Sequence, residues 1–219
     1  MYSFKSLEIA GYRNEPVSNT FLRQDETARE IAIVLPGVGY TCHMPLLYYP
    51  SQVMLALGMD VLWVEYNYIR RRDYRALSDA EQKQWLFADV AAACQAALAQ
   101  RSYQQVTLVG KSLGTTAMSH LLATDAQFAR SRQVWLTPVL RNDEVRSQIH
   151  HSGPRALVAI GTADPFYDPA YLGDLQAAVR SEVVVVDGAD HSLEIVGNVQ
   201  QSLQVLERVT QAVQVFVSK

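Results

Sequence analysis

A chain of 219 residues is long enough for one well-buried core and short for two independent domains, so residues 1–219 are expected to form a single unit. About half of the residues are hydrophobic, with only 11 glycines and 8 prolines, which excludes disordered and fibrous classes. The formal net charge of -3 provides no broad attraction for nucleic acid or an anionic membrane, and neither is expected as a partner.

In chain order, residues 1–24 hold two strand-like pieces, SFKSLEIA and SNTFLRQ, separated by a polar turn around Asn14 to Pro16. They predict an antiparallel edge hairpin. The stretch MYSFKSLEIAGYRNE lacks the basic start, apolar run and small-residue cleavage site of a secretion signal. No stretch approaches 18 uninterrupted apolar residues. Cys42 and Cys94 lie far apart without metal-finger or CxxC spacing, which fits a reduced, cytoplasmic protein with no metal.

From residue 31 a rhythm sets in: a short apolar β-branched run, a turn containing Gly or Asp, then a helical pattern. The runs are IAIVLPG (31–37), DVLWVEY (60–66), VTLVG (106–110), QVWLTPV (133–139), ALVAIG (156–161) and EVVVVDG (182–188). Their near-continuous Val, Ile and Leu suit strands buried on both faces of a parallel sheet. Helical segments are expected over 45–57, 78–100, 113–124, 169–180 and 193–217. This alternation predicts an α/β fold: a mostly parallel central sheet with helices on both faces. The Arg70, Arg71, Arg72 and Arg75 cluster reads as a solvated surface loop.

In such a sheet, chemistry belongs on the loops leaving the carboxyl ends of the strands. The strand VTLVG runs into Gly110-Lys111-Ser112-Leu113-Gly114, and a helix begins immediately after it. This is G-x-S-x-G in a strand-to-helix setting, the pattern of a nucleophile elbow. A phosphate-binding P-loop is the competitor for Gly110-Lys111-Ser112, but Gln105 stands where its first glycine belongs.

A serine hydroxyl needs a base to take its proton and an acid to orient that base. His191 follows the last apolar run and Asp164 follows the one before it. The order Ser112, Asp164, His191 matches this class of elbow enzyme. Asp168 is the rival acid, four residues further along the same loop, with Asp187 and Asp190 as lesser alternatives. His43, His120, His150 and His151 are poorly placed to serve as the base. For the oxyanion, Leu113 supplies one backbone N–H and the loop Pro36-Gly37-Val38-Gly39-Tyr40 supplies another, with Val38 first and Gly39 second.

With these motifs assembled, LPGVGYT, VGKSLGTT, IGTADPFYD and VDGADHSLE, the chain resembles the α/β-hydrolase superfamily over roughly 30–217. It is most similar to the compact, lid-poor, dienelactone-hydrolase-like serine members. The resemblance implies an acyl hydrolase of the esterase or thioesterase type, acting through an acyl-enzyme on a small-molecule acyl substrate without a cofactor. Two departures are visible: Pro36-Gly37 stands where many members have His-Gly, and Ser112 stands where dienelactone hydrolases proper have cysteine. Other reactions run on the same triad, including lyase and perhydrolase chemistry, and some members of the fold only bind.

Lids in this fold usually follow the sixth strand. Only Leu140 to Arg155 is available there, which predicts no cap domain and an open cleft. Tyr40, His43, Phe166 and Tyr167 are the expected substrate-binding side chains, with Tyr66 and Tyr68 as further aromatic wall.

Overall fold

The computed structural model describes residues Met1–Lys219. Eight strands form one sheet: β1 (Tyr2–Lys5), β2 (Asn19–Gln24), β3 (Glu30–Leu35), β4 (Asp60–Val64), β5 (Gln105–Lys111), β6 (Arg132–Leu136), β7 (Ala156–Gly161) and β8 (Glu182–Val186). Seven helices accompany them: α1 (Pro45–Ala56), α2 (Arg72–Arg75), α3 (Asp79–Leu98), α4 (Leu113–Thr124), α5 (Asp143–Ser152), α6 (Pro169–Ala178) and α7 (Val199–Val217). The strand order is β1-β2-β4-β3-β5-β6-β7-β8. Strands β3 to β8 are parallel, whereas β2 pairs antiparallel with both β4 and β1.

Alternation along each strand sends successive side chains into two separate cores. Ile31, Ile33 and Leu35 of β3 pack with Leu108, Trp135 and Ile160 against α3, α4, α5 and α6. Ala32 and Val34 join Val109, Leu136 and Ala159 on the other face, against α1 and α7. Because both faces are covered, no polar alternation is left in the strands, which is why they read as continuous apolar runs.

The chain reverses direction across the sheet between β3 and β5. These strands are neighbours, yet β3 leads to α1 on one face and β5 leads to α4 on the other. Their diverging exits open a crevice at the carboxyl edge, where ligands bind in doubly wound sheets.

Three elements differ from expectation. The first two strands are shorter than the apolar pieces, and residues 6–18 form a long connection rather than a polar turn. Asn19, 6 % exposed, holds this connection: its Oδ1 accepts from the Leu7 N–H and its Nδ2 donates to the Leu7 and Val17 carbonyls, all at 2.9 Å. The last helix starts at Val199 rather than 193, capped by Asn198 accepting from the Gln201 N–H at 3.0 Å. Residues 143–152, without an expected element, form α5, capped by Asn142 and buried through Val145 and Ile149. Helix α5 packs with α4 in the same core, and no cap covers the sheet edge.

Asn19→Ala leaves three buried main-chain groups without partners, each costing about 1 to 3 kcal/mol less whatever water recovers. Urea denaturation should show a loss of at least about 2 kcal/mol, and a change below about 0.5 kcal/mol would contradict this role.

Candidate active site

Ser112 sits between the last residue of β5 and the first of α4 at φ 50, ψ -113, a left-handed backbone that side-chain-bearing residues rarely adopt. Strain of this kind costs about 1 to 3 kcal/mol and persists where surrounding structure over-determines it. Part of that surrounding is the packing of Gly114: a Cβ there would stand 2.0 Å from the Leu35 carbonyl oxygen. The first turn of α4 therefore lies directly against the end of β3. The main chain of Ser112 is held on both sides, its N–H donating to the Leu136 carbonyl at 3.1 Å and its carbonyl accepting from the Thr115 N–H at 2.9 Å.

The other two loops meet through a second close approach. A Cβ on Gly161 would lie 2.0 Å from the Ala189 carbonyl oxygen, and the Ala163 N–H donates to that same oxygen at 3.0 Å. The loop after β7 is thereby packed onto the loop after β8. Asp164 projects from the first and His191 from the second. The Asp164 side chain is fully buried, and its Oδ1 accepts from the Phe166 N–H at 2.8 Å.

These placements bring Ser112, His191 and Asp164 together. His191 Nδ1 lies 2.7 Å from Asp164 Oδ2, and His191 Nε2 lies 2.8 Å from Ser112 Oγ. A carboxylate only accepts, so Nδ1 carries the proton and Nε2 is left to accept from the serine hydroxyl. Phe166 packs edge-on to the His191 ring, with centroids 5.3 Å apart. Asp190 shapes the turn that carries the imidazole, accepting from the Ser192 N–H at 2.8 Å and the Glu194 N–H at 3.1 Å.

The rival acid is engaged elsewhere. Asp168 caps α6 through the Tyr171 N–H at 3.0 Å and pairs with Arg146 at 2.7 Å. That N–H, followed by the Arg146 guanidinium, holds its carboxyl below the usual carboxylate range. Asp187 accepts from the Thr162 hydroxyl at 3.0 Å. Among the remaining histidines, His120 stacks on Phe87, and His150 and His151 lie on α5.

The loop from Pro36 to Tyr40 runs against Ser112, since a Cβ on Gly37 would stand 3.1 Å from the Ser112 Cβ. Tyr66 fixes this loop by donating its hydroxyl to the Pro36 carbonyl at 2.7 Å. Neither the Val38 N–H nor the Leu113 N–H is engaged by a backbone or side-chain acceptor. For Leu113 this follows from its place in the first turn of α4, where N–H groups have no intrahelical partner.

The four expected substrate-binding side chains separate. Tyr40 is 7 % exposed and lines an apolar cleft of about 550 Å³ with Pro45, Leu46, Leu193, Leu203 and Leu206. Phe166 and Tyr167 line a shallower depression of about 430 Å³ with Arg141 and Arg146. His43 is drawn away from both: it is exposed, lies 2.9 Å from Glu65 and packs edge-on to Trp63. Tyr66 and Tyr68 stack on each other, and Tyr68 donates to buried Asp89 at 2.7 Å, so they serve packing beneath α3. Lys111, which the sequence brings forward only as part of the rejected P-loop pattern, is a buried cation immediately before Ser112. Its position inside G-x-S-x-G, directly after an apolar strand, was the available signal. The arginine cluster lies at the surface as expected but is not a loop: Arg72 and Arg75 stand on α2, and Arg71 pairs with Asp73 at 2.7 Å. No group of His, Cys, Asp and Glu side chains is arranged to hold a metal, and no helix is long and apolar enough to cross a membrane.

The Gly161 contact is backbone on backbone and cannot be relieved by a side-chain rotation. Gly161→Ala should lower stability by at least about 3 kcal/mol in denaturant unfolding, beyond the usual range for one added methyl group. A loss under about 1 kcal/mol would show that the two loops separate freely.

A family model described as an alpha/beta hydrolase domain matches residues 29–218. No curated protein matches the chain in sequence. Among solved structures, an α/β serine hydrolase without a lid from Xanthomonas campestris aligns over 99 % of this chain and 94 % of its own, at 18 % identity and a TM-score of 0.66. An esterase from Pyrococcus furiosus aligns over 99 % and 92 % respectively, at 15 % identity and a TM-score of 0.71. A dienelactone hydrolase from Anabaena variabilis aligns over 99 % and 97 %, at 17 % identity and a TM-score of 0.71. At these identities the structural likeness speaks for the fold, and the family match covers the six parallel strands β3 to β8 together with the loops that carry Ser112, Asp164 and His191. The chain belongs to the α/β-hydrolase domain family.

Proposed function

We propose that this protein is a serine hydrolase cleaving an ester or thioester through an acyl-enzyme, with Ser112 as nucleophile, His191 as base and Asp164 orienting the base. The observation that carries the reading is the unbroken relay from Ser112 Oγ through both ring nitrogens of His191 to a buried carboxylate. In the first half-reaction Oγ attacks the acyl carbonyl while its proton passes to Nε2. The same proton then goes to the departing alcohol or thiol as the acyl–oxygen or acyl–sulfur bond breaks. In the second half, His191 takes a proton from water, the hydroxide oxygen bonds to the acyl carbon, and Ser112 leaves with that proton.

The unengaged N–H groups of Val38 and Leu113 are assigned to the oxyanion, where one such donor contributes about 2.7 to 4 kcal/mol to lowering the barrier. The start of α4 adds the positive end of its dipole. The names of the Pyrococcus and Xanthomonas neighbours, an esterase and a serine hydrolase, agree with this reading. The apolar cleft beside Tyr40 is proposed to take the substrate's hydrocarbon portion, because it adjoins both the oxyanion loop and Ser192, the residue after the base.

The test is a panel of esters and thioesters of graded chain length, run on the wild type and on Ser112→Ala. Ser112→Ala should lose about 10⁴-fold or more of kcat on every substrate turned over, and activity surviving the substitution would sink the mechanism. Asp164→Asn should lower kcat by about 10³-fold or more, because an amide presents the wrong partner to Nδ1. Asp168→Asn keeps a capping oxygen and loses only its part-exposed ion pair with Arg146, so it should stay within about threefold in rate and lose less than about 1 kcal/mol of stability. The reverse ranking would transfer the acid role to Asp168. Leu203→Trp, which fills the cleft, should raise KM about tenfold for long-chain esters and leave acetyl esters unchanged. An equal effect on both would remove the cleft from substrate binding.

A further inference from the structure

Lys111 occupies the variable position before the nucleophile and is only 2 % exposed, a rare state for an ammonium group. It is the last residue of β5, and alternation along the strand turns it to the same face as Val109, toward α1 and α7. Its Nζ donates to the backbone carbonyl of His191 at 3.0 Å and to Thr137 Oγ1 at 3.3 Å. The same Nζ stands 4.4 Å from the centre of the Tyr40 ring, an attractive arrangement in a desolvated site. Thr137 is itself held at φ 44, an outlying backbone for a β-branched residue, with its N–H donating to the Ala159 carbonyl at 2.8 Å.

One charge therefore touches three exits from the sheet: the oxyanion loop through Tyr40, the end of β6 through Thr137, and the base loop through His191. Asp164 and Asp190 face it with opposite charge. Tyr40 in turn faces Glu194 and Asp190. Asp164 orients the imidazole of His191, and Lys111 holds the same residue by its main chain.

Resting on the hydrolase reading above, we propose that Lys111 is a positioning residue: its ammonium ties the His191 carbonyl to the nucleophile's own strand and so sets where the imidazole stands relative to Ser112 Oγ. Misplacing a reacting group by about 1 Å costs on the order of 100-fold in rate. Burial pushes the lysine down to about 8, against the pull of the Asp164 and Asp190 charges. Above that pH the proton leaves, the attraction to the Tyr40 ring is lost, and the bond to His191 ceases to be charge-assisted. The cation is thus the competent form, and turnover falls on the alkaline side.

The experiment compares the wild type, Lys111→Met and Lys111→Arg by ester kinetics across pH 6 to 10 and by amide hydrogen exchange over residues 189–195. The wild-type kcat should decline above about pH 8. Lys111→Met should lower kcat between about 10-fold and 100-fold with KM within about threefold, and should lack the alkaline decline. Lys111→Arg should regain at least about tenfold over Lys111→Met and carry its activity to higher pH, because guanidinium stays protonated. Exchange over 189–195 should accelerate at least about tenfold in Lys111→Met while β1 and β2 stay unchanged. A wild-type kcat in Lys111→Met, or unaltered exchange in that segment, overturns the proposal. Should Lys111→Met fail to fold, an undisplaced alkaline decline in Lys111→Arg overturns it. If a fluorophosphonate does not label Ser112 in the wild type, the hydrolase reading fails by itself, and the exchange measurement still decides what Lys111 holds.

Discussion

Backbone packs directly on backbone at two points along the carboxyl edge of the sheet, and the geometry of the site depends on both. At Gly114 the helix after Ser112 meets the end of β3, and at Gly161 the loop carrying Asp164 meets the loop carrying His191. A single methyl group at either position would occupy space already filled by a carbonyl oxygen. Each contact brings together segments far apart in sequence. The distances of 2.7 and 2.8 Å along the relay follow from these approaches, because side chains as short as Ser and Asp cannot reach across a looser gap.

The sheet's own topology decides where those contacts fall. With β3 to β7 buried on both faces and the edge strand β8 half-buried, polar groups are tolerated chiefly where strands end and loops begin. The direction change between β3 and β5 places the Pro36–Tyr40 loop and the Ser112 turn side by side while sending α1 and α4 to opposite faces. The crevice so formed needs no lid to define it. Residues 140–155, where a cap would be inserted, instead contribute α5 to the core beside α4.

Charge inside this edge is arranged in complementary positions. Asp164 and Lys111 are both withdrawn from water, and each is tied to His191, one by a ring nitrogen and the other by the main-chain carbonyl. An isolated buried charge is costly, so such groups persist when their hydrogen-bonding capacity is met and an opposite charge lies close by. Asp168 has the opposite history: it stays near the surface, capping a helix and pairing with Arg146.

By itself the sequence determined the order of the parallel strands and of the helices between them, apart from α2 and α5, and placed Ser112, Asp164 and His191 on loops at the carboxyl edge. Burial on both faces writes itself as unbroken apolar runs, and an elbow demands small residues at set spacing. It also placed a strand-like pair at the N-terminus, but not the Asn19 bonds that shape the connection, since those join residues through space. Only the tertiary structure decided which carboxylate meets the imidazole. Asp164 and Asp168 share one loop and one chemistry, and a helix N-terminus with an arginine claims the second. Tyr40, His43, Tyr66 and Tyr68 were equally undecided, because packing and binding use the same side chains. The structure turned Tyr66 and Tyr68 inward, left Tyr40 on the apolar cleft, and drew His43 toward Glu65. Lys111 was visible as a letter in the motif, but its meaning rests on three loops converging around one ammonium, which no local pattern records.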